Sequence, residues 1–276
     1  MTKPWLVGLD VDGTILLQDE TMSPGVPEAV ARVREAGNVV TIATGRSWNA
    51  TERWVDALEL DAEFVVCSNG AVIMRRTDAG WERWRVETFD PSQVLGLLTA
   101  RLPEAHYMVE LADGSRLFTG EIADWTLDGA RQVSVAELSD EKVSRVVVVS
   151  PGHDEADFHR IVAETGLNEV SYAIGWTAWL DIAPQGVDKG SALHHVYDEL
   201  GIEGGRVLVV GDGRNDIGMF EWARRLEGRA VAMGQAPDEV KDAATEVAAD
   251  VHSGGLADAL NMLADHPGAP QVRAAQ

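Results

Sequence analysis

Residues 5–15 read WLVGLDVDGTI, a run that begins as a buried strand would and then, within three residues, presents Asp10, Asp12 and Gly13. Two like charges close together on one short stretch repel and are costly to desolvate, so they call for a cation or a shared proton between them. A second stretch, RVLVVGDGRND at 206–216, repeats the arrangement with Asp212 and Asp216. Two such strands in one sheet would gather Asp10, Asp12, Asp212 and Asp216 around one point. A hard divalent cation is the natural occupant, because Mg²⁺ takes oxygen ligands, keeps several waters and usually bridges carboxylates to a substrate phosphate. Neither loop has the glycine and bidentate Glu of a calcium EF-hand, and the His and Cys set of a zinc site is missing.

Outward from these strands the chain alternates β-rich and amphipathic helical runs, which predicts an α/β fold with a mostly parallel sheet. Strands are expected over 5–10, 38–45 and 62–70. Helices are expected over 27–37, ending at Gly37, and over 47–60, with Ser47 as N-cap. Ligands in such sheets sit at the carboxyl ends of the strands. From Val72 the grammar changes: strands flank the turn TDAG, and residues of about 90 to 183 give a mixture of strands and helices, including a helix over 155–166. At Lys189 the earlier pattern returns with a helix over 189–201, a strand over 206–213, a helix over 214–225 and a strand over 228–236. The tail HPGAPQVRAAQ, 266–276, is small, polar and Pro-containing, so disorder is expected there.

The bulk numbers narrow the function. With 276 residues, 45% hydrophobic and 25% charged, the composition is that of a globular protein of one large domain or two smaller ones. The N-terminal apolar segment is too short and too acidic for a signal peptide, and no apolar run approaches a membrane span, so a cytoplasmic location is expected. A single cysteine, Cys67, excludes an internal disulfide and reads as a small buried hydrophobe. The formal net charge of −22, without a basic block, argues against nucleic acid or a membrane as partner. An anionic substrate would need local positive potential from a metal, a few Lys or Arg, and helix N-termini.

Five motifs then fall into register: DVDGT at 10–14, ATGR at 43–46, SNGA at 68–71, GVDKG at 186–190 and GDGRND at 211–216. In order and spacing they resemble the motifs of the haloacid dehalogenase-like phosphatases, and the long insert is similar to the type IIB cap of the Cof-type subfamily, which includes sugar phosphatases. The resemblance covers all but the tail. It implies a Rossmann-like core formed by 1–88 and 184–265, an inserted α+β cap at 89–183, and a tail at 266–276.

It also implies roles. Asp10 would be the nucleophile that forms an aspartyl-phosphate, and Asp12 the acid that protonates the leaving alcohol and then activates water, its pKa raised by Asp10 and an enclosed site. Mg²⁺ would be bound by Asp10, Asp212 and the Asp12 backbone carbonyl, with Asp216 either completing the shell or orienting a metal-bound water. Thr44 and Lys189 would hold the phosphoryl oxygens, and Asn215 would contact phosphate or brace Lys189. Gly13 and Gly45 read as places where an oxyanion approaches the backbone closely. Arg46, Asn69 and Trp179 are substrate candidates; Asn69 is equally a turn residue, Arg46 a helix cap, and Trp176 and Trp179 either an aromatic platform or packing. His106, His153 and His159 read as surface or packing residues, and Asp181 as a residue able to contact either domain. The insert would set substrate choice.

The expected activity is Mg²⁺-dependent hydrolysis of a small phosphorylated metabolite, sugar phosphates foremost, by a monomer or homodimer. A phosphomutase and a catalytically silent phosphometabolite-binding protein are the alternatives.

Overall fold

A computed structural model describes residues 3–120, 129–151, 160–161, 170–174 and 179–265. The expected helix over 155–166, together with Trp176, His153, His159 and the tail, lies outside the described residues, apart from Arg160 and Ile161, which are helical. The chain divides into two compact units, Met1–Glu82 with Asp188–Gln276, and Arg83–Val187.

The first unit is an α/β layer built on a five-stranded parallel sheet. Its strands are β1 (Leu6–Leu9), β2 (Val39–Ile42), β12 (Val207–Gly211), β13 (Arg229–Ala232) and β14 (Glu246–Val247), in the order β14-β13-β12-β1-β2. Every residue of β1 and β12 is buried, as befits central strands of a parallel sheet. The chain passes from β1 to β2 on one side and returns to β12 on the other, so a topological switch point lies between β1 and β12. Beyond β2 a parallel bridge, Ala43 to Val66, attaches β3 (Phe64–Cys67), which pairs antiparallel with β4 (Val72–Thr77). β5 (Gly80–Val86) completes this second, three-stranded sheet and carries the chain out of the unit. The parallel alternation expected through residue 70 thus holds, while β3 belongs to both patterns.

Helices α1 (Val26–Glu35) and α2 (Trp48–Ala57) follow β1 and β2. Ser47 occupies the N-cap of α2 with extended backbone, yet its side chain makes no capping hydrogen bond. The expected helix over 214–225 begins as a 3₁₀ turn, Arg214–Asp216, before the α-helix Ile217–Arg225, because the turn folds Asp216 back onto the N–H groups that precede it. The helices Asp238–Ala243 and Gly255–Asp265, and the two-residue strands β14 and β8 (Arg131–Gln132), had no counterpart in the sequence reading.

In the second unit a six-stranded sheet runs in the order β10-β11-β9-β6-β7-β8, from β6 (His106–Leu111), β7 (Arg116–Phe118), β8, β9 (Val143–Val149), β10 (Val170–Ile174) and β11 (Trp179–Pro184). It is antiparallel except for β7 with β8. Helix α3 (Ser92–Arg101) lays Val94, Leu95 and Leu98 on Tyr107, Val109, Val146, Val148, Leu180 and Ile182. Among the described residues no helix is long and apolar enough to cross a membrane.

Candidate active site

The switch point gathers the acids. β1 and β12 are parallel neighbours with Leu9 beside Val210, and the Asp10 N–H donates to the Val210 carbonyl at 3.0 Å. Asp10 and Asp212 each follow the last residue of their strand, so adjacent strands deliver two carboxylates side by side. β2 leads in the same way to Thr44, and β3 to the 3₁₀ turn Ser68–Gly70 that holds Asn69.

Lys189 enters from the first position of the helix Lys189–Glu199 and is fully buried, which rules out a solvated helix-start lysine. Its Nζ donates to Asp10 Oδ1 at 2.6 Å and to Asp216 Oδ1 at 2.7 Å. Burial disfavours the ammonium, but Asp10 and Asp216 outweigh it and push the lysine above its ordinary value. The other Asp216 oxygen accepts the backbone N–H groups of Asp212 at 2.9 Å and Gly213 at 2.8 Å. Asp216 therefore ties the lysine to the turn that carries Asp212.

Asp10, Asp212 and Asp216 present carboxylate oxygens within 4.8 Å of one another, all buried. Burial, then repulsion from Asp216, pushes Asp212 up to about 7. Burial and Asp216 likewise raise Asp10 well above the carboxylate range, against the pull of Lys189. Three buried acids around a single ammonium leave the cluster short of positive charge. An all-oxygen donor set in that electrostatic position fits a hard divalent cation.

Gly13 has φ +74°, and a Cβ there would stand 2.1 Å from Asp212 Oδ2. The absence of a side chain at Gly13 thus leaves room for the Asp212 carboxylate. Gln235 braces the same contact, donating from Nε2 to the Gly13 carbonyl at 2.6 Å and to Asp212 Oδ2 at 3.2 Å while its Oε1 accepts the Val251 N–H at 3.0 Å. An uncharged residue in a loop after β13 gives no chemical signal in sequence, and sequence reasoning missed it.

Asp12 stands apart from the cluster. The chain leaves extended geometry at Val11 and turns through Gly13, so the two acids of DVD diverge. The Asp12 side chain is 60% exposed and paired with Arg46, Nη2 to Oδ1 at 2.5 Å and Nε to Oδ2 at 3.0 Å. The enclosed carboxyl predicted at this position is corrected to a solvent-facing one held by a guanidinium. Arg46 also donates from Nη1 to Glu20 at 2.9 Å, and the Thr44 hydroxyl accepts the Arg46 N–H at 3.1 Å.

Asn69 is left-handed, with φ 51°, and its Oδ1 accepts from Asn215 Nδ2 at 3.0 Å. A Cβ on Gly45 would come within 3.1 Å of that same oxygen, so Gly45 leaves room for the Asn69–Asn215 pair. Asn215 is therefore attached to Asn69, while Lys189 is held by the two acids. Trp179, in the second unit, packs against Met108 and Val147, the packing alternative. Asp181 pairs with the buried Arg145 at 2.8 Å within that unit.

The chain is similar to known proteins in sequence and fold. A family described as haloacid dehalogenase-like hydrolases matches the chain over residues 7–260. A pyridoxal phosphate phosphatase of Escherichia coli is 30% identical, the match covering 89% of this chain and 93% of its own. A 5-amino-6-(5-phospho-D-ribitylamino)uracil phosphatase of Bacillus subtilis is 26% identical over 93% of this chain and 96% of its own. Among solved structures, a phosphatase of the same superfamily from Bacteroides thetaiotaomicron superposes with a TM-score of 0.74 at 23% identity, covering 95% of each chain. A subclass IIB sugar phosphatase does so with 0.75 at 19% identity, covering 94% of this chain and 98% of its own.

Proposed function

Because the chain belongs to the haloacid dehalogenase-like hydrolase family, we propose that it is a Mg²⁺-dependent phosphatase that hydrolyses small phosphomonoesters, sugar phosphates or related metabolites, through an aspartyl-phosphate on Asp10. The observation that carries this reading is the buried Asp10, fixed through Oδ1 by Lys189 and grouped with Asp212 and Asp216. The curated relatives named above, which act on two chemically different phosphorylated compounds, support the phosphomonoester class without choosing a leaving group.

Asp10, Asp212 and the Asp12 backbone carbonyl would hold Mg²⁺. The ion would supply positive charge where a carboxylate must approach a phosphate anion. Asp216, whose oxygens already serve Lys189 and two backbone N–H groups, acts as the anchor of the Asp212 turn and of the lysine. With Oδ1 engaged, the other oxygen of Asp10 attacks phosphorus; the bond to the alcohol oxygen breaks, and that oxygen takes a proton from Asp12. Water then attacks the phosphorus of the aspartyl-phosphate and gives a proton to the Asp12 carboxylate, which releases orthophosphate and restores Asp10. Thr44, Lys189 and Asn215 are the groups proposed to bind the phosphoryl oxygens.

The test is phosphate release from a panel of phosphomonoesters, with Mg²⁺ or with EDTA, for wild type beside Asp10→Asn. Metal-dependent release that vanishes in the variant is expected. Equal inertness of both chains, with a phosphorylated ligand still bound, would sink the hydrolase reading, and an isomeric ester in place of phosphate would indicate a mutase.

A further inference from the structure

We propose that Glu20 and Arg53 act through Arg46 as positioning residues, a three-member brace that fixes the Asp12 carboxylate where the leaving oxygen departs. The inference rests on the phosphatase reading above. In-line displacement puts the leaving oxygen on the side of phosphorus opposite the nucleophile. Asp10 is 4% exposed whereas the Asp12 side chain is 60% exposed, so of the two acids Asp12 is the one accessible to a departing oxygen.

A carboxylate that faces water turns freely unless something holds it, whereas proton transfer needs placement within roughly half an ångström. Arg46 supplies the hold with a two-nitrogen fork on Asp12, its own side chain only 18% exposed. The guanidinium is in turn fixed from its other end by Glu20. Glu20 is itself fixed by Arg53 Nη2, which donates to both carboxylate oxygens at 2.9 Å. The first turn after β1 thus connects to α2 through a chain of four alternating charges.

Glu20 carries a second mark. It has φ +61°, a left-handed conformation unfavourable for a residue with a Cβ, on a segment that two isolated bridges, Asp12 to Leu16 and Leu16 to Met22, fold back on itself. The two guanidinium contacts are what the glutamate gains there. They also outweigh its partial burial and hold its carboxyl below the usual range, so it stays ionised as an anchor. The Glu20–Arg53 pair is exposed on both sides, and such a pair contributes little to stability, so its role in positioning separates from a role in folding.

The experiment compares kcat/KM for a simple alkyl phosphate and for p-nitrophenyl phosphate. This parameter ends at departure of the leaving group; an alkoxide needs a proton to leave and nitrophenolate does not. Glu20→Gln and, separately, Arg53→Met are expected to lower the alkyl value about tenfold while the aryl value stays within about twofold. In an Asp12→Ala chain, Glu20→Gln is expected to add nothing, because the carboxylate it positions is gone. An unmoved alkyl-to-aryl ratio in both variants, with wild type active on both esters, overturns the brace alone, as does an equal loss on both. A wild type that hydrolyses neither ester overturns the phosphatase reading and the brace with it.

Discussion

Asp212 is 7% exposed beside Asp216, and the pKa of about 7 that burial and this neighbour impose makes stability depend on pH in a definite direction. A carboxyl raised in the folded state binds its proton more tightly there than in the unfolded chain. Its contribution is therefore fully present below the unfolded value near 3.8 and lost as pH rises through about 7. Metal-free protein is expected to melt at a lower temperature at pH 8 than at pH 5.5, and Asp212→Asn to remove much of that difference. Mg²⁺ should raise Tm more at pH 8, where it need not displace the proton. Thermal melts of both chains in EDTA and in Mg²⁺ at the two pH values check this; a Mg²⁺ shift larger at pH 5.5 would refute it. The acids were legible in sequence because they end two apolar runs. Their differing surroundings were not, since nothing in DVDGT says that the turn at Gly13 sends Asp10 inward and Asp12 out to Arg46.

Lys189 owes its place to how its helix begins. Asp188 is the N-cap, accepting the Ser191 N–H at 2.7 Å, while the Ser191 hydroxyl accepts the Asp188 N–H at 3.0 Å. This reciprocal cap fixes the first turn, and the lysine is its first residue. Asp188→Ala is expected to cost about 1 kcal/mol of stability and to lower turnover by displacing the lysine. Denaturant titration with phosphate release checks both, and a stability loss with unchanged turnover would show that the lysine is held by Asp10 and Asp216 alone. The strands around the site were legible as elements because parallel strands buried on both faces read as unbroken apolar runs. Helix Gly255–Asp265 and strand β14 were missed: the helix follows a glycine-rich turn, and two residues, Glu246 and Val247, are too few to show a period.

Across the whole chain 45 acids face 23 bases, and a phosphate ester must approach a surface of net charge −22. Among the described residues at the site, Lys189 is buried against acids and Arg46 and Arg53 are each paired with acids. Screening over a Debye length of about 10 Å at 0.1 M salt should relieve this repulsion. For a dianionic ester at fixed Mg²⁺, kcat/KM is expected to rise severalfold, on the order of three, from 20 to 200 mM NaCl, as steady-state rates would register. A falling profile would mean that local cations govern the encounter. Sequence alone was enough for the α/β class, the strand ends that carry the acids, the five motifs and the family they resemble, because apolar periodicity and catalytic side-chain chemistry are both local properties of the chain. The partners of those side chains came from folding: Lys189 between Asp10 and Asp216, Gln235 on Asp212, and Glu20 and Arg53 behind Arg46. These contacts join residues from 27 to 179 positions apart at the lysine, and such pairings depend on which strands lie side by side, a non-local outcome of burying the sheet.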